Sequence, residues 1–391
     1  MARALRGDLG RELHAHVTEL WRASHLPDGT LTFDAGAAGA WTVEVKNGRP
    51  SLVEGRVRRP TSVVSADADT MLDVVSGKTP GAAAFLERRL FLRGNIAFAL
   101  ELDGLVQKSP RALRVRRVDV DGIKTFFLEA GPKDAPPVIL FHGLGATSSS
   151  FLPTLWDLGR DHRVIAPDLP GFGDTDKPLR ALHAPFFAKW AIGLLDALGI
   201  AGADLIGNSM GGRLAIEAAL RAPDRVDKVV LLAPSLAWRK FRHASPLVKL
   251  LRPEMGALPL PVLHLGVVRV LRSMFAKPGR VADAAMNAAA DEFLRSFSTA
   301  RGRIAFFHAA RAIYLDEATG ERGFWDRLPR LARPALFLFG DEDWLVPARF
   351  ASHVRRAVPH AEVEVMHDCG HVPQFEHPEA THARVRRFFA R

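Results

Sequence analysis

The stretch Asp204 to Gly212, reading Asp-Leu-Ile-Gly-Asn-Ser-Met-Gly-Gly, constrains this chain more than any other. A short apolar run leads straight into a serine set between glycines, and a helical pattern from Arg213 to Leu220 follows. If Leu205 and Ile206 end a buried strand and Met210 opens the helix, Ser209 stands on a sharp strand-to-helix corner, a nucleophile elbow. Such a corner forces the serine backbone into a strained region and leaves little room for a Cβ at Gly207 or Gly211. With 32 glycines in the chain the pattern can arise by chance. Its meaning rests on its company.

That company begins near residue 113. Leu113 to Val120 and Lys124 to Glu129 alternate around Asp121-Gly122, a hairpin signal. Short runs that are apolar throughout then take turns with helical stretches: Val138 to Phe141, Arg163 to Ala166, Asp204 to Ile206, Lys228 to Leu232, Ala335 to Phe339 and Glu362 to Val365. This alternation predicts a mostly parallel sheet covered on both faces. In such sheets ligands sit beyond the carboxyl ends of the strands. The residues there are His142-Gly143-Leu144-Gly145, Pro167-Asp168-Leu169-Pro170-Gly171-Phe172-Gly173, the elbow, Gly340-Asp341-Glu342-Asp343, and His367-Asp368-Cys369-Gly370-His371. Taken in this order, these five motifs resemble the α/β-hydrolase family, over roughly residues 113 to 391.

A serine hydroxyl is a poor nucleophile near neutrality; it needs a base within hydrogen-bond reach, oriented in turn by a buried carboxylate. Ser209, Asp343 and His371 occur in the nucleophile, acid, histidine order of this fold. The resemblance implies Asp343 rather than Asp341 as the acid, because Pro347 follows it by four residues, and His371 as the base, because it heads Gly-His-Val-Pro-Gln-Phe-Glu. Ser235 occupies the alternative acid position. It also implies an oxyanion hole built from the backbone N–H groups of Leu144 and Met210. His367 is expected within the strand feeding the histidine loop. Cys369, with no second base offered to it, is expected to be small packing. No metal or cofactor is called for.

The first hundred residues read differently. Leu9, Leu13, Val17, Leu20 and Trp21 recur at helical spacing. Period-two runs then follow, with Asn47-Gly48 as a hairpin signal, predicting an antiparallel sheet of about four or five strands. Helix-like pieces at Asp69 to Ser76 and Pro80 to Arg88 come next, then an apolar strand Leu90 to Leu92 and Gly94-Asn95 before Ile96 to Leu105. Val74 to Lys78, Ala84-Phe85, Leu90 to Gly94 and Ala97 to Leu102 resemble the sterol carrier protein family, over roughly residues 8 to 105. The resemblance implies an α+β domain with an apolar tunnel for acyl chains or sterols. On the residues alone, Phe33, Trp41, Leu72, Phe85 and Phe91 are expected simply to fill a core. Gln107 to Arg111 loses the alternation and contains a proline, so two domains are expected, 1–108 and 113–391.

Between Ser235 and about Ala305 the alternation stops where a cap is expected. Twelve Lys or Arg stand there against four acids, which localises much of the net charge of +10. No nucleic-acid-binding motif accompanies them, so nucleic acid is not an expected partner. Val267, Val270, Leu271 and Met274 share one helical face. The cap helix is expected to pack that face on the core with Arg269 and Arg272 in water; the alternative is a basic, apolar lid in peripheral contact with anionic membrane. The single cysteine and the N-terminus without a secretory pattern point to the cytoplasm. The expected activity is a serine hydrolase acting on an ester or thioester of an apolar, lipid-like substrate through an acyl-enzyme. The alternatives are a carbon–carbon bond hydrolase of ring-cleavage products and a non-catalytic lipid-transfer protein. The first is suggested by Gly-Asn-Ser-Met-Gly-Gly and Cys-Gly-His-x-x-Gln, although Val372 stands where those hydrolases place tryptophan. Oligomeric state is not readable.

Overall fold

The computed structural model describes residues 2–20, 26–106, 112–237, 252–320 and 323–391. Trp21, the Gln107–Arg111 segment and the cap residues Arg239, Lys240, Arg242 and Lys249 lie outside them. Two separate sheets organise the chain.

The first sheet has five strands in the order β3-β2-β1-β4-β5: β1 (Gly29–Asp34), β2 (Ala40–Lys46), β3 (Arg49–Glu54), β4 (Ser62–Ala66) and β5 (Leu90–Gly94). All pairings are antiparallel except β1 with β4, which is parallel. The turn at Asn47-Gly48 joins β2 to β3, with both residues at positive φ (53° and 70°), the left-handed geometry that a tight hairpin demands. Helices α1 (Ala2–Leu20), α2 (Ala68–Val75), α3 (Gly81–Leu86) and α4 (Ile96–Val106) complete this unit. Leu9, Leu13 and Leu20 of α1 are fully buried, as their spacing requires. Phe33 and Trp41 are buried as expected, but Phe91 is not core: it is 41% exposed, because alternation along β5 turns Leu90 and Leu92 inward and Phe91 outward.

The second sheet has eight strands in the order β13-β12-β11-β10-β8-β9-β7-β6. The hairpin β6 (Arg114–Val120) and β7 (Ile123–Ala130) is antiparallel, and β7 meets β9 (Arg163–Pro167) antiparallel. All further pairs, through β8 (Pro137–Phe141), β10 (Ala203–Asn208), β11 (Val226–Leu232), β12 (Ala335–Gly340) and β13 (Glu362–Met366), are parallel. The central strands are buried on both faces because helices α5 (Leu152–Leu158), α6 (Ala184–Ala197), α7 (Met210–Arg221) and the C-terminal helix Pro378–Phe389 belong to the same layered unit. β13 ends at Met366, so His367 lies just past the strand rather than within it.

Between β11 and β12 the chain leaves the sheet. The described part of this insert holds helices His264–Ser273, Asp283–Phe297 and Ala300–Tyr314, the last continuing beyond residue 305. No helix among the described residues is long and apolar enough to cross a membrane.

Candidate active site

Ser209 has φ 53° and ψ −116°, a conformation unfavourable for a residue with a Cβ. The surrounding packing holds it there. A Cβ at Gly211 would come within 1.9 Å of the Phe141 carbonyl oxygen, and one at Gly207 within 2.3 Å of the Gly211 oxygen. The glycines thus let α7 cross directly over the ends of β8 and β10. Ser209 N–H donates to the Leu232 carbonyl at 3.0 Å, and the Ser209 carbonyl accepts from Ser235 N–H at 2.8 Å, so both sides of the corner are fixed by the end of β11 and the residues after it.

His371 arrives on the loop after β13. Its Nδ1 lies 2.8 Å from Asp343 Oδ2. The other carboxylate oxygen of Asp343 accepts from the N–H groups of Leu345 and Val346, at 2.8 and 2.9 Å. With Oδ1 so occupied, Oδ2 is left to orient the imidazole, and both side chains are buried. Asp341 pairs instead with exposed His367, Oδ2 to Nδ1 at 2.7 Å. Ser209 and His371 line one cavity, but no hydrogen bond joins them in this structure. Such bonds commonly tighten only when substrate is present.

Three positioning groups were not singled out from sequence. Asn208 donates through Nδ2 to the Leu232 and His371 carbonyls, both at 3.0 Å, and so ties the elbow to the histidine loop. Glu376 accepts from Gly370 N–H at 2.8 Å, Lys277 N–H at 2.7 Å and Ala276 N–H at 3.2 Å, holding the histidine loop to the insert. His142 is wholly buried; its Nε2 accepts from Leu169 N–H at 2.9 Å, so its Nδ1 carries the proton and donates to Gly143 O at 2.8 Å. Burial pushes its pKa down to about 4, which keeps the ring neutral. This bond shapes the turn that presents Leu144. The N–H groups of Leu144 and Met210 donate to no protein atom among the described residues. Asn208 and Glu376 sit inside the motifs read from sequence, but their partners are distant in the chain.

Cys369 is buried and its thiol is pushed up to about 12 by desolvation first and by nearby carboxylates second, consistent with packing. No cluster of metal-ligating side chains occurs among the described residues.

Above the strand ends lies a chamber of about 810 Å³. Val267, Val270, Leu271 and Met274 line it. The expectation that this helical face packs on the core is therefore corrected: periodicity reveals an apolar face, and here the face borders a void. Arg269 and Arg272 stand in water as expected, whereas other cap cations are sheltered. Arg295 pairs with Asp174 and Glu292, and buried Arg303 donates to backbone carbonyls, while Arg272 makes an exposed pair with Asp283.

An eight-stranded, mainly parallel sheet with a serine on a strained strand-to-helix corner and a carboxylate–histidine pair on later strand ends defines the hydrolase class built on the α/β fold. Comparison with known proteins agrees. A family model described as alpha/beta hydrolase fold matches residues 136–378, and one described as the SCP-2 sterol transfer family matches residues 25–107. The chain is 31% identical over 267 residues to a 2-hydroxymuconate semialdehyde hydrolase of Pseudomonas putida, covering 65% of this chain and 87% of that protein. It is 28% identical over 269 residues to the uncharacterized carboxylesterase nap of Bacillus subtilis, covering 68% and 83%. Among solved structures it is similar to a bacterial membrane phospholipase A, with 26% identity and a TM-score of 0.61 over 75% of this chain and 91% of the other. The chain belongs to the α/β-hydrolase family, and an SCP2 domain precedes its hydrolase fold.

Proposed function

We propose that this hydrolase cleaves an ester or thioester with an apolar acyl part through an acyl-enzyme on Ser209. His371 takes the hydroxyl proton as Oγ attacks the carbonyl carbon, then gives it to the leaving alcohol or thiol. Asp343 holds the imidazole with Nδ1 protonated, leaving Nε2 free to accept. The unpartnered N–H groups of Leu144 and Met210 receive the developing oxyanion. Water, deprotonated by His371, then releases the acid. The observation that carries this reading is the convergence of strained Ser209 and the Asp343–His371 pair on one largely apolar chamber.

Hydrolysis of carbon–carbon bonds is the second reading, favoured by the identity to the semialdehyde hydrolase. Ring-cleavage products are carboxylates, and their recognition calls for a cation. No Lys or Arg is among the described residues lining the chamber, and its one carboxylate there is Glu292. That arrangement favours the neutral ester. Turnover of nitrophenyl esters by the full chain tests the choice: activity abolished by Ser209→Ala supports the proposal, and activity that survives the substitution refutes it.

A further inference from the structure

The chamber holding Ser209 is not walled by the hydrolase fold alone. Phe85 of α3 and Ile96 of α4, both from the first domain, form part of its lining. The same two residues, with Leu152 at the start of α5, also border a narrow slot of about 50 Å³ inside the first domain. Further in, that slot is bounded by Leu31, Phe33, Val75 and Leu92, with His16 as its polar exception. Two cavities on opposite sides of the domain junction thus share three apolar side chains.

The junction itself is fastened by two carboxylates of the insert, Asp291 and Glu292. Asp291 Oδ2 accepts from Arg93 Nε at 2.6 Å and from Gly94 N–H at 3.0 Å. Glu292 Oε1 accepts from Ile96 N–H at 2.9 Å while its Oε2 accepts from Arg295 at 3.0 Å. Glu292 is buried, so the bond to Ile96 lies where an unmade hydrogen bond is costly. The helix Asp283–Phe297, whose residues line the chamber, therefore fixes the boundary residue Ile96 through its own main chain.

Building on Ser209 as the acylated nucleophile, we propose that the substrate is a long-chain acyl ester or thioester whose tail crosses the Phe85–Ile96–Leu152 boundary into the first domain. The SCP2 domain then serves as the distal acyl subsite of the hydrolase instead of a separate carrier. The slot's narrow, apolar walls suit the end of an unbranched chain.

The test uses the full chain and an alkyl fluorophosphonate bearing a diazirine at the far end of a hexadecyl chain. Ser209 Oγ bonds to phosphorus, fluoride leaves, and His371 takes the hydroxyl proton, so the probe is anchored at the nucleophile. After irradiation, cross-links mapped by mass spectrometry are expected on the slot walls, between residues 31 and 100. Phosphonylation of Ser209 with cross-links confined to residues 112–391 overturns the subsite while leaving the nucleophile intact. Failure to phosphonylate Ser209 overturns the catalytic reading and the subsite together. A second measurement compares kcat/KM for hexadecanoyl and butanoyl thioesters of one thiol. Each methylene moved out of water is worth about fourfold, so Ala82→Leu, which fills the slot, should lower the hexadecanoyl-to-butanoyl ratio at least tenfold. An unchanged ratio in a variant that melts like the parent refutes the proposal.

Discussion

Asn208 offers the sharpest test of how the elbow is held. Its Nδ2 is the sole donor of that side chain and serves two carbonyls, Leu232 O and His371 O, while the residue itself is buried. Asn208→Ala removes both bonds and strands the His371 carbonyl, whereas Leu232 O still accepts from Ser209 N–H. At about 1–3 kcal/mol for one buried unsatisfied group, the loss should be about 1–3 kcal/mol. Asn208→Asp should be worse at neutral pH, because a carboxylate then faces two carbonyl oxygens. That carboxyl would have a raised folded-state pKa, so the folded state binds the proton more tightly than the unfolded one. The Asp variant must therefore recover stability as pH falls, whereas the Ala variant has no such response. Urea denaturation across pH, with ester turnover measured in parallel, reads both effects. Equal stability of Asn208→Asp and the parent at neutral pH would refute this account of the elbow, as would an Ala variant losing less than about 0.5 kcal/mol.

Asp343→Asn should keep the fold, since the amide oxygen can still accept from Leu345 and Val346, but its NH₂ then faces His371 and favours the wrong tautomer. The expected loss in kcat is about 10⁴-fold, as for this substitution in a serine-protease triad, and a loss below tenfold would remove Asp343 from the proposed role. His142 should stay neutral and Nδ1-protonated through mildly acid pH. Its folded pKa is depressed to about 4 from 6.5, so its contribution, on the order of 3 kcal/mol, is complete above 6.5 and lost as pH falls through the folded value. Imidazole NMR checks this, and a His142 titration midpoint near 6.5 would refute it.

Much of the second domain could be read from its sequence because its signals are local. Fully apolar runs mark strands buried on both faces, and Gly207 crowds the backbone of Gly211 only four residues on. The faults came where a residue's neighbours are remote. Val270 carries the periodicity of a packed helix, yet what it faces is decided by the chain's path after β11. Asn208 meets a carbonyl 163 residues away, and nothing in its flanking sequence announces that partner. In the first domain, Phe91 shows that a hydrophobic side chain on a strand takes its side from register, not from its chemistry.

The bond from Ile96 to Glu292 also has a temporal meaning. Its partners are separated by 196 positions in the chain, so at ribosomal rates of about 5–20 residues per second the first domain waits roughly 10–40 s for its acceptor to be made. Throughout that interval the start of α4 lacks one of its terminal hydrogen bonds. The nascent domain is thus an incomplete object that the later half of the same chain must close, and a slower-translating stretch before Glu292 would lengthen its exposure to chaperones and proteases.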